Sequence, residues 1–247
     1  MNTKKYKGRA AVYLRKSSLD GHFTNRSFTV NEGGLRFASN SLRKVEVMSY
    51  MAFSTLMQDP NADMAAGKDL AERKYGEQGA TRTGVSIALT GQGAGAVTVT
   101  SIWDSTDACF EGRAAIMADA EVQAYVTANN QTAVQFGLSR VRNETGNCEG
   151  AFAAAAIATA TDHSDAAVAE VSEHMERIFL PQGINGVRMV QMIAAGENTG
   201  AYVNLFYCDS VDSYFAASAA AWADAEFVAT SQKIGASIVD RLISRML

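Results

Sequence analysis

An internal repeat limits what this chain can fold into more than any other feature. Slid along itself by 105 positions, GAGAVTVTSIWDSTDACF (93–110) falls on NTGAYVNLFYCDSVDSYF (198–215). Gly95 then meets Gly200, Asp104 meets Asp209, Ser105 meets Ser210, Asp107 meets Asp212 and Phe110 meets Phe215. Without a gap, Ala118-Asp119-Ala120-Glu121 lands on Ala223-Asp224-Ala225-Glu226, and Ser139-Arg140 lands on Ser244-Arg245. Alanine richness inflates such matches, but the Asp, Gly, Phe and Arg matches are independent of it. The earlier part of each copy matches more weakly and with a one-residue shift, Glu72-Arg73 on Glu176-Arg177 and Gln78-Gly79 on Gln182-Gly183. The expected organisation is a basic extension (1–42), a first copy (43–142) and a second copy (148–247).

Each copy reads as β-α-β-β-α-β. In the second, AAVAEVSEHMERIF (166–179) carries Val168, Val171, Met175 and Phe179 on one helical face, and Pro181 and Gly183 end it. Strands are expected at 187–195 and 201–207, joined by a turn over Gly196–Gly200. Asp209-Ser210 opens a second helix running to about 235, with Asp212 in its first turn, and a strand closes the copy at 238–246. The first copy gives a strand at 45–55, a helix at 62–76, strands at 82–90 and 96–103, one helix at 105–128 and a strand at 134–143. Residues 151–160 (AFAAAAIATA) conflict with their own propensity: alanine favours helix, but the repeat makes this run the first strand of copy two.

Composition narrows the class. Hydrophobic content is 47%, charge 19%, and there are only two prolines, which suits a globular protein with a sizeable core. No apolar run is long enough to cross a membrane as a helix, and the N-terminus lacks the apolar stretch of a signal peptide. A cytoplasmic protein with no membrane partner is expected. Cys109, Cys148 and Cys208 lack metal-ligand spacing and read as free thiols. The net charge of −4 hides an asymmetry, because residues 1–44 carry ten Lys/Arg against Asp20 and Glu32. The rest is strongly acidic, so nucleic acid is not expected on the folded body. A basic arm suits nucleic acid or an anionic membrane surface, or folding back onto the acidic body.

A β-α-β-β-α-β unit is ferredoxin-like, and two such sheets packed face to face make an α/β barrel. The element order, the pattern Trp222-x-Asp224-x-Glu226-Phe227 and the Arg-containing last strand resemble the dimeric α/β-barrel superfamily in a tandem, single-chain form. That superfamily includes antibiotic-biosynthesis-type monooxygenases, stress-responsive barrel proteins and haem-binding chlorite-dismutase relatives. The resemblance implies an α+β fold of two tandem ferredoxin-like units. It also implies a small-molecule-binding barrel, with cofactor-independent monooxygenase-like chemistry as its enzymatic form. A haem protein and a non-catalytic stress-responsive barrel are the alternatives. In the barrel reading, strand alternation sends Val203, Leu205, Val190 and Met192 under the helices. Tyr202, Asn204, Phe206, Met189, Gln191 and Ile193 then line the barrel, the first five as ligand-binding candidates, with Val97, Val99, Ser101, Gly84, Ser86 and Ala88 facing them from copy one. Further association into a homo-oligomer, through edge strands or outer helices, is also expected.

Other chemistry is thin. His174, on the first helix of copy two, is the candidate proximal ligand if the protein binds haem; otherwise no cofactor is expected. His163 lies in a capping loop, and three scattered histidines make no metal site. The GQGAG run at 91–95 lies between two strands and precedes no helix, so it reads as a turn and not as a phosphate loop. Asp119, Glu121, Asp224 and Glu226 recur between copies and are expected to cap helices or pair with arginine, Arg140 and Arg245 being the proposed partners.

Overall fold

Short apolar strands of near-equal length, separated by capped helices, set the architecture. The computed structural model describes residues 48–247, together with the backbone of a small ladder pairing Val30–Asn31 with Gly34–Leu35. Most of the basic extension 1–42 therefore lies outside the described residues. In chain order the main body runs β1 Tyr50–Met57, α1 Met64–Glu77, β2 Arg82–Ala88, β3 Val97–Trp103, α2 Thr106–Ala118, α3 Ala120–Ala128 and β4 Thr132–Gly146. It continues with β5 Phe152–Thr159, α4 Asp165–Phe179, β6 Ile184–Ala194, β7 Tyr202–Cys208, α5 Val211–Ala223, α6 Ala225–Lys233 and β8 Ser237–Met246. We refer to β1–β4 with their helices as the first half and to β5–β8 with theirs as the second.

The fold is α+β, and its eight strands close into one antiparallel barrel in the order β8-β2-β3-β1-β4-β6-β7-β5. The halves join where β4 pairs with β6 and where β8 pairs with β2. Closure pairs every strand on both sides, β2 with β8 only over Ser86–Ala88, so little edge remains for the expected association through edge strands. The alanine run is strand β5, paired on both sides by β7 and β8. Ladder pairing overrides its helix propensity there, and its burial alternation is the same as that of β1.

Two expectations need correction. The long helices at 105–128 and 210–235 are each broken into two. Asp119 and Asp224 sit at the breaks with extended backbone (ψ 129° and 113°), and each caps the following helix. The Asp119 carboxylate accepts from the Glu121 and Val122 amides, and that of Asp224 from Phe227. An aspartate whose side chain satisfies orphan amides ends one helix and starts the next. The partners of the recurring acids also differ from those expected. Lys74 and Arg73 bind Asp119 and Glu121, and Arg177 binds Asp224 and Glu226, while Arg140 and Arg245 take no part. The hairpin glycines behave as expected, Gly95 and Gly200 both taking positive φ (88° and 95°) where the chain re-enters a strand. All three cysteines are free and buried.

Candidate functional site

Both faces of β7 are buried, so the alternation of YVNLFYC does not by itself say which face meets the helices. The structure sets it opposite to the expectation. Val203, Leu205, Val190 and Met192 point into the barrel, where they pack with Met51 and Phe53 of β1. Tyr202, Phe206 and Met189 lie under the helices with Val168, Met175 and Phe179 of α4. Side chains fill the interior of an eight-stranded barrel, Phe53 and Tyr207 among them, while Tyr202 and Phe206 pack in the gap between sheet and helices. The first-half residues divide. Val97, Val99 and Ser101 face the helices, while Ser86 faces the barrel interior and a Cβ on Gly84 would meet Thr100 and Met246 there. The repeat shift on β2 is therefore one residue smaller than on β3.

The five candidates nevertheless share one face. Tyr202, Asn204, Phe206 and Met189 line a cavity of about 100 Å³ between β5–β7 and helices α4–α6, closed on the helix side by Met175 and Trp222. Its walls are aromatic and ordered. Phe206 stacks on Phe179 with centroids 4.4 Å apart and tilts against Tyr214 at 5.4 Å, and Trp222 meets Phe227 edge-on at 5.8 Å. Each such pair contributes about 0.5–1.5 kcal/mol beyond the area it buries. Asn204 is 7% exposed, and its Oδ1 has no hydrogen-bond partner among the described residues. A buried amide end left unpaired costs about 1–3 kcal/mol. Turning the amide would leave an unpaired N–H in the same place, so either orientation offers a bond to a hydroxyl.

Gln191, the fifth candidate, stands beside the cavity. Arg142 donates to the Gln191 carbonyl oxygen at 2.5 Å, to the Tyr202 hydroxyl at 3.2 Å and to Asp165 at 2.7 Å. His163 stacks on the Tyr202 ring at 5.5 Å, with Nδ1 3.3 Å from its hydroxyl. Burial pushes the Tyr202 phenol up, and the Arg142 charge pulls it back. This network fixes Tyr202 as a wall. Nothing in the sequence marks Arg142, whose match in the second copy is Leu247, and His163 reads only as part of a capping loop.

His174 is not where a ligand to a cavity-bound group should be. It does not line the cavity, and both its ring nitrogens are engaged. Thr230 donates its hydroxyl proton to Glu170 at 3.0 Å, so it accepts from His174 Nε2 at 3.1 Å, and Arg177 donates to Nδ1 at 3.0 Å. No ring lone pair remains for a metal. A cavity of this size also falls well below the roughly 300–1,000 Å³ of pockets that hold drug-sized molecules. Haem on His174 does not fit this arrangement. His174, Asp224 and Glu226 do cluster within 4.8 Å, but the Arg177 guanidinium already supplies their positive charge.

No family model and no curated protein matches the sequence. Solved structures do match. A provisionally assigned monooxygenase from Lactobacillus acidophilus superposes with a TM-score of 0.52 at 11% identity, covering 81% of this chain and 93% of its own. An anthrone oxidase-like protein gives 0.52 at 12% identity, covering 81% and 91%. A provisionally assigned chlorite dismutase gives 0.50 at 11%, covering 81% and 95%. This is the ferredoxin-like fold of the monooxygenase-like and chlorite-dismutase-like barrels. At such identities the likeness is one of fold, and function has to be argued from the site. No helix of the described residues is long and apolar enough to cross a membrane.

Proposed function

We propose that the protein binds a small hydroxylated aromatic molecule, of the size of a single phenol ring, in the second-half cavity. The observation that carries this reading is the unpaired amide end of Asn204 inside a mostly apolar, aromatic-walled space, whose lining also includes Asp162 and Arg241. A cavity of about 150 Å³ lined by apolar side chains accepts benzene; this one, at about 100 Å³, is smaller, which limits its occupant to a single ring at most. A hydroxyl on the ring satisfies Asn204, while Phe206, Met189 and Trp222 contact its faces and edges. The barrel interior plays no part in this reading. We further read the body as two copies of one ferredoxin-like unit, a reading supported by the equal 105-residue offsets of β3 and β7, α2 and α5, and α3 and α6.

Calorimetric titration with phenol and with toluene, which differ by a hydroxyl in place of a methyl, tests the reading. Phenol should bind at least tenfold more tightly than toluene, and Asn204→Val should remove the preference. Equal binding of the two compounds by the unaltered protein overturns it. The names of the fold neighbours make oxygen chemistry on the bound phenol the enzymatic form of this proposal. Oxygen uptake after adding that phenol would support it, and its absence would leave a binding protein.

A further inference from the structure

The first half holds a second space at the equivalent level, between β1–β3 and helices α1–α3, and it is larger, about 220 Å³. Its apolar lining includes Leu70, Val97, Val99 and Ile116. Three cations, Lys68, Lys74 and Arg113, also line it, and no Asp or Glu does. Two of these charges are already matched. Lys74 binds Asp119 at 2.7 Å and Glu121 at 3.3 Å, and Lys68 lies 3.5 Å from Glu72. Arg113 differs. It is partly buried, its guanidinium stacks 4.0 Å above the Phe136 ring, and it donates to the Ser54 hydroxyl at 2.8 Å. Among the described residues it forms no ion pair.

A guanidinium half-withdrawn from water, with neutral partners only, is an unmatched charge facing an apolar space. Its fork geometry suits a carboxylate, which it can hold by two parallel N–H bonds. The layer above is loosely seated as well, since neither α1 nor α3 contains a fully buried residue. We propose that this cavity is a second ligand site, which takes a small apolar carboxylate with its carboxyl group on Arg113 and its tail against Val97, Val99 and Ile116. Tyr75, whose phenol burial pushes up, stays neutral beside Arg113 and Ser54 and is placed to donate to the same carboxylate.

The site stands apart from the second-half cavity, and methionines report on each separately. Met64 and Met117 line the first-half cavity, Met175 and Met189 the second-half cavity, and Met51, Met192 and Met246 the barrel interior. With methyl-¹³C-methionine protein, titration with benzoate should shift the Met64 and Met117 signals saturably and leave Met175 and Met189 in place. Benzamide, of the same shape but neutral, should bind at least tenfold more weakly. Arg113→Met should weaken benzoate at least tenfold, and Arg113→Lys should restore part of that loss. Equal binding of benzoate and benzamide, or the absence of any shift at Met64 and Met117 with millimolar benzoate, overturns the proposal. Should the Arg113 variants fail to fold, the comparison of the two probes on the unaltered protein decides alone. Failure of phenol at Met175 and Met189 would count against the second-half reading only.

Discussion

The two sheet–helix layers of this molecule share a backbone plan and differ in what fills them. At matched positions β3 carries Val99 where β7 carries Asn204, and α2 carries Arg113 where α5 carries Ser218. The polar anchor thus projects from the helices in the first half and from the sheet in the second. Bulk is exchanged as well. Trp103, fully buried and donating to Ser101 at 2.8 Å, plugs the end of β3, while on β7 those two positions are Cys208 and Phe206. The second-half helix α4 buries Val168, Met175, Ile178 and Phe179, whereas α1 buries nothing fully. Difference in packing therefore goes with difference in room, and the two proposed sites rest on that contrast.

The largest effects should come from the residues that set this packing contrast. Phe206→Ala is expected to cost about 3–5 kcal/mol of stability in urea unfolding, the range for a truncated buried phenylalanine. Ser101→Ala, at the matched position, should cost about 1–3 kcal/mol, because it leaves the Trp103 indole N–H unpaired. Equal losses would mean that the halves are packed alike after all. Next comes the barrel interior, where Arg188 is 3% exposed and bonds Glu144 and, at 2.9 Å, the Tyr207 hydroxyl. Glu144→Gln keeps an acceptor but removes the counter-charge, and because Glu144 is itself partly exposed the cost should be about 1–3 kcal/mol. A loss below about 1 kcal/mol would show that Arg188 reaches water. Asn204→Val removes an unpaired amide and should change stability by no more than about 1 kcal/mol while abolishing selectivity for phenol.

The smallest effect is electrostatic. Arg177 holds the Asp224 carboxyl well below the ordinary aspartate range, and Lys74 holds Asp119 below it as well. A carboxyl that is more acidic in the folded state binds fewer protons there than in the unfolded chain. Its contribution is therefore present above the unfolded value, about 3.9, and is lost as pH falls towards the folded one. Thermal melts of Asp224→Asn should accordingly lie below those of the unaltered protein at pH 7 and converge with them below about pH 4. A constant gap across that range would point to the helix cap alone.

Much of this arrangement could be read from the residues. The strand at 152–159 followed from its place in the repeat against its own propensity, because pairing on both sides outweighs local preference. Alternation puts Tyr202, Asn204 and Phe206 on one face of β7, as found, but that face lies on the other side of the sheet from the one expected. Alternation carries no sign when both faces are buried. The ion pairs of the recurring acids were also within reach, since Glu72-Arg73 and Glu176-Arg177 recur between the copies just as the acids do. Arg113 was hidden for a different reason. Its match in the second half is Ser218, and a lone arginine in a helix reads as surface until the sheet beneath it is in place.

The most direct test of two unlike sites on one repeated backbone is a paired titration of a single methyl-¹³C-methionine sample with phenol and benzoate. Phenol should move Met175 and Met189, benzoate should move Met64 and Met117, and saturation with one should leave the affinity for the other unchanged. Competition between the two probes for the same methionines, or shifts confined to Met51, Met192 and Met246 of the barrel interior, would contradict the account.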